Sequence, residues 1–350
     1  MKAVVYHGQE DMRVENVADP GLQHSEDVLV RVEKTAICGS DLHLWHSEPF
    51  ADPGFVVGHE FLGTIEDVGK DVRGVSKGDR VIVSCTNGCG RCPACKRGVF
   101  SGCPVATEEF THGNIFGFGS HLNGGQAEAV RVPFGDANCF HLPDELEDED
   151  CLFLTDILPT GYMGAEMANV GPGDTVVVFG CGPVGTFAQM SARLRGAARV
   201  IAVDLDAGRL ARAEARGCIG INPREEDVLE RVLELTHGEG AHASIEAVGR
   251  PELVTQAAMA TRPGGVVSVI GVILQPFQIE WALFLSKNLS LRTGLVNPQA
   301  YVDRLIPLIR EGHLDPAQIV SHRYSLDDAV EGYETFAGHR DDVLKVVLSA

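Results

Sequence analysis

Residues 175–185 read Thr-Val-Val-Val-Phe-Gly-Cys-Gly-Pro-Val-Gly. The first five of these residues predict a buried strand, and three glycines follow it at the spacing Gly-x-Gly-x-x-Gly. Gly180 permits a tight turn, Gly182 lets the backbone approach a diphosphate, and Gly185 lets the next helix pack closely on the strand. The stretch therefore predicts a strand–turn–helix unit that binds a dinucleotide at the N-terminus of its helix.

The residue that ends the next predicted strand indicates which dinucleotide binds. Residues 200–203 read Val-Ile-Ala-Val and are followed by Asp204. An acid at this place accepts hydrogen bonds from the ribose hydroxyls and repels the 2′-phosphate of NADP. We therefore expect NAD, bound by the glycine loop together with Pro183 and Val184. The alternative is a glycine turn in an α/β protein that binds no nucleotide.

Strand and helix patterns alternate from Gly173 onward, whereas the chain before about Pro143 is rich in strands separated by glycine turns. Alternation predicts a doubly wound parallel sheet with helices on both faces. The fold class is therefore α/β with two domains. We expect a β-rich domain over residues 1–153 and 296–350, and a nucleotide-binding domain over residues 154–295.

The composition is that of a soluble, globular chain. Its 350 residues exceed what one hydrophobic core usually supports, which agrees with two domains. No apolar run approaches the ~18 residues of a membrane span, and the first residues lead into a strand without a secretory signal. The formal charge of −20 repels phosphate backbones and argues against nucleic-acid binding. Ten cysteines in such a chain indicate metal ligands and free thiols, so we expect a cytoplasmic protein.

Four of the ten cysteines lie within one short stretch, at Cys89, Cys92, Cys95 and Cys103. Short loops can wrap four thiolates around one tetrahedral Zn²⁺, and such a closed shell leaves no position for a substrate. We expect a structural zinc site here. A pair of disulfides, or thiols that merely cluster, is the alternative.

Cys38 and His59 stand apart from this quartet. Each residue alone is more often part of a core than a ligand, but a thiolate and an imidazole together supply two of the three ligands of an open, catalytic zinc. The third ligand must come from further along the chain, and spacing alone does not identify it.

The motifs in combination resemble those of the zinc-dependent medium-chain alcohol dehydrogenases. Residues 58–63 read Gly-His-Glu-Phe-Leu-Gly and are followed by Gly69, the cysteine quartet and the nucleotide-binding pattern, in that family's order. The resemblance spans essentially the whole chain. It implies a GroES-like catalytic domain, a Rossmann domain, NAD as cofactor, and two Zn²⁺ ions per chain.

The resemblance also implies roles for individual residues near the second zinc. Cys38, His59 and Asp156 match the three catalytic ligands, with Asp156 in place of the family's usual cysteine. Residues 156–162, Asp-Ile-Leu-Pro-Thr-Gly-Tyr, are similar to glutathione-independent formaldehyde dehydrogenases. Ser40 matches the hydroxyl that takes the substrate proton, and His43 the residue that passes it to solvent. Glu60 matches a carboxylate that approaches the metal, or else it is a charge partner behind the ligands.

Further positions match cofactor contacts of the family. Lys345 matches a phosphate-binding residue and Arg209 a ribose-binding one, although either could be a surface charge. Backbone contacts are implied at Thr160, Val248, Gly271, Val272, Leu295 and Val296, which could instead be buried strand ends.

The implied reaction interconverts alcohols and aldehydes or ketones by hydride transfer. Trp45, Phe50 and Trp281 could line an apolar pocket, which would favour secondary or aromatic alcohols, or they could belong to the core. A polyol dehydrogenase, a glutathione-independent formaldehyde dehydrogenase or dismutase, and a non-enzymatic NAD- and zinc-binding protein are the alternatives.

We also expect a homotetramer. The stretch from Cys103 to Asp156 is shorter than in dimeric liver-type members of the family. Gly265–Ile270 is expected to offer a sheet edge, and residues 272–274 with Trp281 and Phe284 an apolar surface, for pairing of subunits.

Overall fold

The computed structural model describes residues 1–46, 52–106, 114–119, 121–338 and 343–350. The chain divides into two compact units, one comprising Met1–Pro159 with Val296–Ala350 and the other Thr160–Leu295. The first boundary therefore lies after Pro159, later than the position expected from the sequence. No helix in the described parts of the chain is both long and apolar enough to span a bilayer.

The strands and helices are numbered here in chain order. The strands are β1 (Lys2–Gly8), β2 (Asp11–Asn16), β3 (Val28–Ile37), β4 (Phe55–Val56), β5 (Glu60–Val68), β6 (Arg80–Val83), β7 (Ala129–Val132), β8 (Cys139–His141), β9 (Thr175–Phe179), β10 (Arg199–Val203), β11 (Ile219–Ile221), β12 (Ala241–Glu246), β13 (Thr261–Val269), β14 (Ser290–Thr293), β15 (His322–Ser325) and β16 (Val346–Ser349). The α-helices are α1 (Asp41–His46), α2 (Pro93–Lys96), α3 (Gly135–Asn138), α4 (Asp148–Leu152), α5 (Ile157–Met167), α6 (Pro183–Leu194), α7 (Ala207–Ala215), α8 (Val228–Leu235), α9 (Pro251–Ala260), α10 (Trp281–Ser286), α11 (Val302–Arg310) and α12 (Ala329–Ala337).

The first unit is built on strands that pair mostly antiparallel. One sheet has the order β15-β16-β3-β5-β6-β8, with β7 also paired to β3, and a smaller sheet has the order β2-β1-β4. Inward-facing residues of β3, such as Val28, Val30 and Val32, pack with Phe61 and Val81 in one core cluster. Because β3 and β5 pair with Ala36 opposite Glu60, the chain just after β3 lies beside the chain at the start of β5. This register brings Cys38 close to His59.

The second unit is a six-stranded sheet of order β11-β10-β9-β12-β13-β14, with every neighbouring pair parallel. All five residues of β9 are buried, as expected for a central strand with helices on both faces. This order is that of a dinucleotide-binding, doubly wound sheet, in which ligands bind at the carboxyl ends of the strands. The predicted fold class is therefore confirmed, and β9 has the predicted bounds.

The expected sheet edge was wrong. Residues 265–270 belong largely to β13, which pairs with β12 on one side and with β14 on the other. The edge strands are β11 and β14, and β14, which follows β13, has only four residues. Phe284 is buried in the core of this unit, whereas Trp281 is 69% exposed.

Candidate metal centres and nucleotide loop

The four clustered cysteines converge on one point. Their sulfur atoms all lie within 4.8 Å of one another and are buried, and all ten cysteines of the chain are free thiols. Cys92 Sγ lies 3.5 Å from Cys95 Sγ and 3.8 Å from Cys103 Sγ. A tetrahedron with Zn–S bonds of about 2.3 Å has S–S edges of about 3.8 Å. The quartet therefore fits a structural zinc ion.

Local backbone groups favour thiolates in this quartet. The N–H of Cys95 points at Cys92 Sγ at 3.5 Å, and the N–H of Cys89 points at Cys103 Sγ at 3.4 Å. The first of these bonds is the main cause that lowers the pKa of Cys92 to about 7. Burial raises the pKa of Cys95 and Cys103, so a bound cation is needed to hold all four sulfurs as thiolates.

A second cluster contains Cys38, His59, Glu60 and Asp156, whose ligand atoms also lie within 4.8 Å of one another. Cys38 follows β3, and Glu60 opens β5. Asp156 follows the 3₁₀ turn Phe153–Thr155, which is held to the chain after β6 because the N–H of Cys85 donates to the carbonyl of Thr155 at 2.8 Å. Three separate segments of the first unit thus bring these side chains together.

The distances in this second cluster also suit zinc. Cys38 Sγ lies 3.6 Å from Asp156 Oδ2, and His59 Nε2 lies 3.3 Å from the same oxygen. Tetrahedral zinc with ordinary bond lengths requires about 3.5 Å between sulfur and oxygen and about 3.3 Å between nitrogen and oxygen. One thiolate, one imidazole and one carboxylate form an open set of three protein ligands. Asp156, which sequence spacing alone could not identify, lies where the third ligand is needed.

Burial and nearby charges shift the pKa values of these residues. Burial, followed by the nearby Glu60 carboxylate, raises the pKa of Cys38 to about 11, so a bound cation is needed to hold its sulfur as a thiolate near neutral pH. Burial alone would lower the pKa of His59, but Asp41 and Cys38 raise it well above its ordinary value. Asp41 Oδ1 lies 3.4 Å from His59 Nδ1, so it orients this ring and leaves Nε2 facing Asp156.

Glu60 pairs with Lys345 rather than with solvent. Lys345 Nζ donates to Glu60 Oε1 at 2.6 Å and to the carbonyl of Ile37 at 2.8 Å, and both side chains are fully buried. Burial alone would lower the pKa of Lys345, but Glu60 raises it above its ordinary value. Burial raises the pKa of Glu60, and Lys345 opposes this rise. The ammonium of Lys345, expected to contact a cofactor phosphate, thus contacts a carboxylate inside the first unit.

Ser40 and His43 lie beside the second cluster. Ser40 Oγ is 3.2 Å from His59 Nε2, and the N–H of His43 donates to the carbonyl of Ser40 at 3.0 Å. His43 is half-buried, and burial lowers its pKa below 6.5. His46 is exposed at the end of the same helix. The Ser40 hydroxyl, close to the cluster, and the neutral imidazole of His43 thus lie within one turn of the chain.

Sequence reasoning missed two neighbours of this cluster. Phe118 stacks at a tilt on His59, with ring centroids 5.3 Å apart, and Cys85 is a buried thiol whose pKa is raised well above its ordinary value by burial and then by Asp156. Neither residue lies in a recognisable motif. The signal available in the sequence for Cys85 was its position as a further cysteine just before the quartet.

Two of the three aromatic residues that could line a pocket or belong to a core lie in the described parts of the chain. Trp45 is buried and stacks on Tyr333 with ring centroids 5.5 Å apart. Trp281 is exposed on the second unit, and Phe50 lies outside the described residues. Trp45 is therefore a core residue, because its ring fills space between helices α1 and α12.

The glycine loop of the second unit has the expected geometry. Gly180 has φ = +98°, a backbone conformation that suits glycine. A Cβ at Gly185 would lie 2.0 Å from the carbonyl oxygen of Gly180, so any side chain there would collide with the turn. Gly182 precedes α6, whose first residues are Pro183 and Val184, and no side chain caps this N-terminus. Its free N–H groups are therefore available to an anion.

Asp204 and Arg209 lie beside this loop. Asp204 Oδ2 accepts from the N–H of Cys181 at 2.7 Å and Oδ1 from the N–H of Asp206 at 2.9 Å. One Arg209 nitrogen lies 3.8 Å from the position of a Cβ on Gly182. The carboxylate thus joins the end of β10 to the glycine loop, and the guanidinium lies next to the expected diphosphate position.

A buried carboxylate holds the loop after β12, and the loop after β13 packs closely against that loop. Glu246 Oε1 accepts from the N–H groups of Val248 at 2.9 Å and Gly249 at 2.8 Å. A Cβ on Gly271 would lie 2.1 Å from the nitrogen of Gly249. Among the other expected contacts, Val272 and Leu295 are exposed in part, Thr160 is half-buried in α5, and Val296 belongs to the first unit.

Comparison with known families identifies the chain. Residues 24–144 match the alcohol dehydrogenase GroES-like domain, and residues 183–311 match the zinc-binding dehydrogenase domain. An alcohol dehydrogenase of Cupriavidus necator is 37% identical over 99% of this chain and 98% of its own length. The solved alcohol dehydrogenase TADH from Thermus sp. ATN1 is 40% identical, with a TM-score of 0.92 over 100% of both chains. The chain belongs to the zinc-dependent medium-chain alcohol dehydrogenase family.

Two other relatives bear on the cofactor and the substrate. A zinc-binding dehydrogenase from Sinorhizobium meliloti, solved bound to NADP, is 30% identical with a TM-score of 0.85, covering 100% of this chain and 99% of its own. A glutathione-independent formaldehyde dehydrogenase of Pseudomonas aeruginosa is 33% identical over 96% of this chain and 94% of its own length. The family and these relatives support zinc together with a nicotinamide cofactor.

Proposed function

We propose that this protein is a zinc-dependent, NAD-linked alcohol dehydrogenase. One observation carries the proposal, namely the buried set of Cys38, His59 and Asp156, whose spacing suits zinc and leaves a coordination position open. Zinc held there would act as a Lewis acid that favours loss of the hydroxyl proton of an alcohol near neutral pH. The hydride chemistry belongs to the nicotinamide, and the protein supplies binding and orientation.

The residues around this set account for the proton. Ser40 Oγ, 3.2 Å from His59 Nε2, would take the proton that the alcohol loses while its own hydroxyl proton passes on. His43 then takes it towards water, since its lowered pKa keeps the imidazole neutral and able to accept a proton at pH 7. Asp41 fixes His59 in one orientation, and the ring of Phe118 shields one side of that imidazole from water.

The choice of NAD over NADP rests on Asp204. Its carboxylate ends β10 beside the glycine loop, where it would repel the 2′-phosphate of NADP and accept hydrogen bonds from the ribose. The relative solved with NADP makes a comparison of the two cofactors essential.

For the substrate we propose secondary or aromatic alcohols, supported now by Phe118 rather than by the tryptophans. Formaldehyde is the second candidate, because residues 156–162 and a 33% identical relative point to it. The test follows absorbance at 340 nm with NAD⁺ or NADP⁺ and secondary, aromatic, polyol and formaldehyde substrates. NADH formed from secondary or aromatic alcohols supports the proposal. Turnover of formaldehyde or polyols alone replaces the substrate class, and NADH binding without turnover of any substrate leaves a non-enzymatic binding protein.

We further propose a homotetramer in the cytoplasm. The edge strand β14 has mostly exposed side chains, and Trp281, Leu274 and Leu285 on the same unit are 56–69% exposed. Exposed edges and apolar patches of this kind favour pairing with a second copy. Light scattering near four times 37.5 kDa supports the tetramer, and a stable monomer contradicts it. Ten free, buried thiols are consistent with a reducing compartment.

A further inference from the structure

Behind His59, a chain of polar contacts leads away from the proposed metal ligands. Asp41 Oδ1 faces His59 Nδ1 at 3.4 Å as an ion pair. Asp41 Oδ2 accepts from the backbone N–H of Cys38 at 2.9 Å and from Gln126 Nε2 at 3.4 Å. The amide oxygen of Gln126 accepts from the hydroxyl of Tyr333 at 2.8 Å. The contacts thus reach from the imidazole of His59 to Tyr333 on helix α12. Tyr333 lies 207 residues from Gln126 in the sequence.

Every member of this chain is buried, with exposed fractions between 0 and 2%. Buried polar groups are costly unless they are hydrogen-bonded, and successive bonds in a dry interior strengthen one another. Burial, followed by the nearby charge of Asp41, raises the pKa of Tyr333 well above its ordinary value, so the hydroxyl remains a donor. Tyr333 donates to Gln126 and Gln126 donates to Asp41 Oδ2, which leaves Asp41 Oδ1 facing His59 Nδ1 at 3.4 Å.

The backbone next to His59 is shaped to admit Gln126. Gly58 has φ = +95°, and a Cβ there would lie 2.3 Å from Gln126 Cγ. The N–H of Gln126 donates to the carbonyl of Val57 at 3.0 Å, and a Cβ on Gly125 would lie 2.3 Å from the ring of Phe61. The segment that carries Gln126 therefore packs directly against the segment that carries His59.

Tyr333 is fixed by its own packing. Its ring stacks on Trp45 at an interplanar angle of 15° and belongs to a buried core cluster. Trp45 lies on α1, the same short helix that begins at Asp41. The packed ring of Tyr333 therefore holds its hydroxyl on Gln126. The same ring packs on α1, the helix that carries Asp41.

We propose that Gln126 and Tyr333 are positioning residues for His59. They hold Asp41 in the orientation that keeps the imidazole proton on Nδ1, so that the Nε2 lone pair faces the metal position. This inference rests on the proposed function only in taking His59 as a zinc ligand. Groups that orient a metal-bound histidine in this way typically change metal affinity by about 10- to 100-fold when they are removed.

The test measures zinc affinity in the full-length protein by competition with a chromogenic chelator. The weaker-binding site is identified as the one lost in His59→Ala, and the four-cysteine site serves as an internal reference. Tyr333→Phe keeps the ring and removes the hydroxyl, and Gln126→Met keeps the length of the side chain and removes the amide. Tyr324→Phe is the matched control, because the Tyr324 hydroxyl pairs with Thr335 of the same helix at 2.9 Å.

We expect Tyr333→Phe and Gln126→Met each to weaken zinc binding at the His59 site by about tenfold, with no change at the four-cysteine site and none in Tyr324→Phe. The double variant should bind zinc no more weakly than Gln126→Met alone, because both residues act through one chain. Unchanged affinity in both variants, or equal loss at both sites, overturns the inference. Wild-type protein with no zinc at the His59 site overturns it as well. Failure to oxidise alcohols with zinc bound overturns the proposed function alone.

Discussion

Replacing Lys345 with methionine removes the positive charge that faces Glu60 while retaining most of the buried side chain. The carboxylate of Glu60 then remains in a fully buried place without its 2.6 Å partner. Removing one member of a buried ion pair typically destabilises a protein by about 3–5 kcal/mol.

Proton uptake by Glu60 limits the part of this cost that comes from its unpaired charge at pH 7. Glu60 can lose its unpaired charge by binding a proton. At pH 7, protonating a carboxyl group with the ordinary pKa of 4.5 costs about 3.4 kcal/mol, at 1.36 kcal/mol per pH unit. We therefore expect a loss of about 3 kcal/mol, and a fall of roughly 6–12 °C in the unfolding temperature of a unit this size.

The sign of the pH dependence follows from the same argument. In the variant, the pKa of Glu60 is raised above its unfolded value, so stability is retained near pH 4.5 and is lost as the pH rises from there. The deficit relative to the natural chain should therefore be smaller at pH 5 than at pH 7. Adding Glu60→Gln should recover much of the loss, since no buried charge then remains.

The assay is thermal unfolding of zinc-loaded protein, with NADH affinity measured in parallel. Lys2→Met is the control, because Lys2 forms an exposed pair with Asp327 at 2.8 Å, and its removal should leave the unfolding temperature unchanged. An unchanged unfolding temperature for Lys345→Met together with weakened NADH binding would refute the buried-pair reasoning. That result would instead favour the phosphate contact implied by the family resemblance.

Replacing Asp204 with alanine should narrow the preference for NAD⁺ over NADP⁺ by about a hundredfold in kcat/KM, because a like-charge contact costs several kcal/mol; a natural enzyme equally efficient with both cofactors would contradict this. Cys92→Ser should remove one zinc and lower the unfolding temperature, whereas His59→Ala should remove the other zinc and lower that temperature less, through the loss of the buried contact with Asp41. Metal analysis with calorimetry checks this, and equal effects of the two changes would rule it out. Burial lowers the pKa of His43 below 6.5, so stability should fall as pH falls below 6.5. His43→Gln should remove that part of the acid destabilisation. If the natural chain and His43→Gln gave superimposable profiles of unfolding temperature against pH, this prediction would be wrong.

Local motifs made much of the fold and site predictable from the sequence. The glycine loop and the cysteine quartet each lie within about fifteen residues, so their chemistry can be read from spacing alone. Asp156 became a candidate through the family resemblance, and the structure then brought it within 3.3 Å of His59 Nε2.

The features that sequence reasoning missed depend on distant pairing. Lys345 resembled a phosphate ligand because nothing in the sequence shows that β16 pairs with β3, which brings its ammonium to Glu60. Gln126 and Tyr333 carry no motif, and their link to His59 exists only after three segments have packed together. The different burial of Trp45 and Trp281 could not be predicted for a similar reason, since a tryptophan's identity does not tell whether it faces a core or solvent.

The pairing of Glu60 with a residue near the C-terminus bears on the order in which the two metal sites can form during synthesis. The cysteine quartet needs only residues 89–103 and can take up its ion soon after that loop leaves the ribosome. The Glu60 carboxylate finds its cationic partner 285 residues later, across the whole nucleotide-binding unit. The four-cysteine site can therefore be completed on the growing chain well before Lys345 is available to neutralise Glu60 beside the second site.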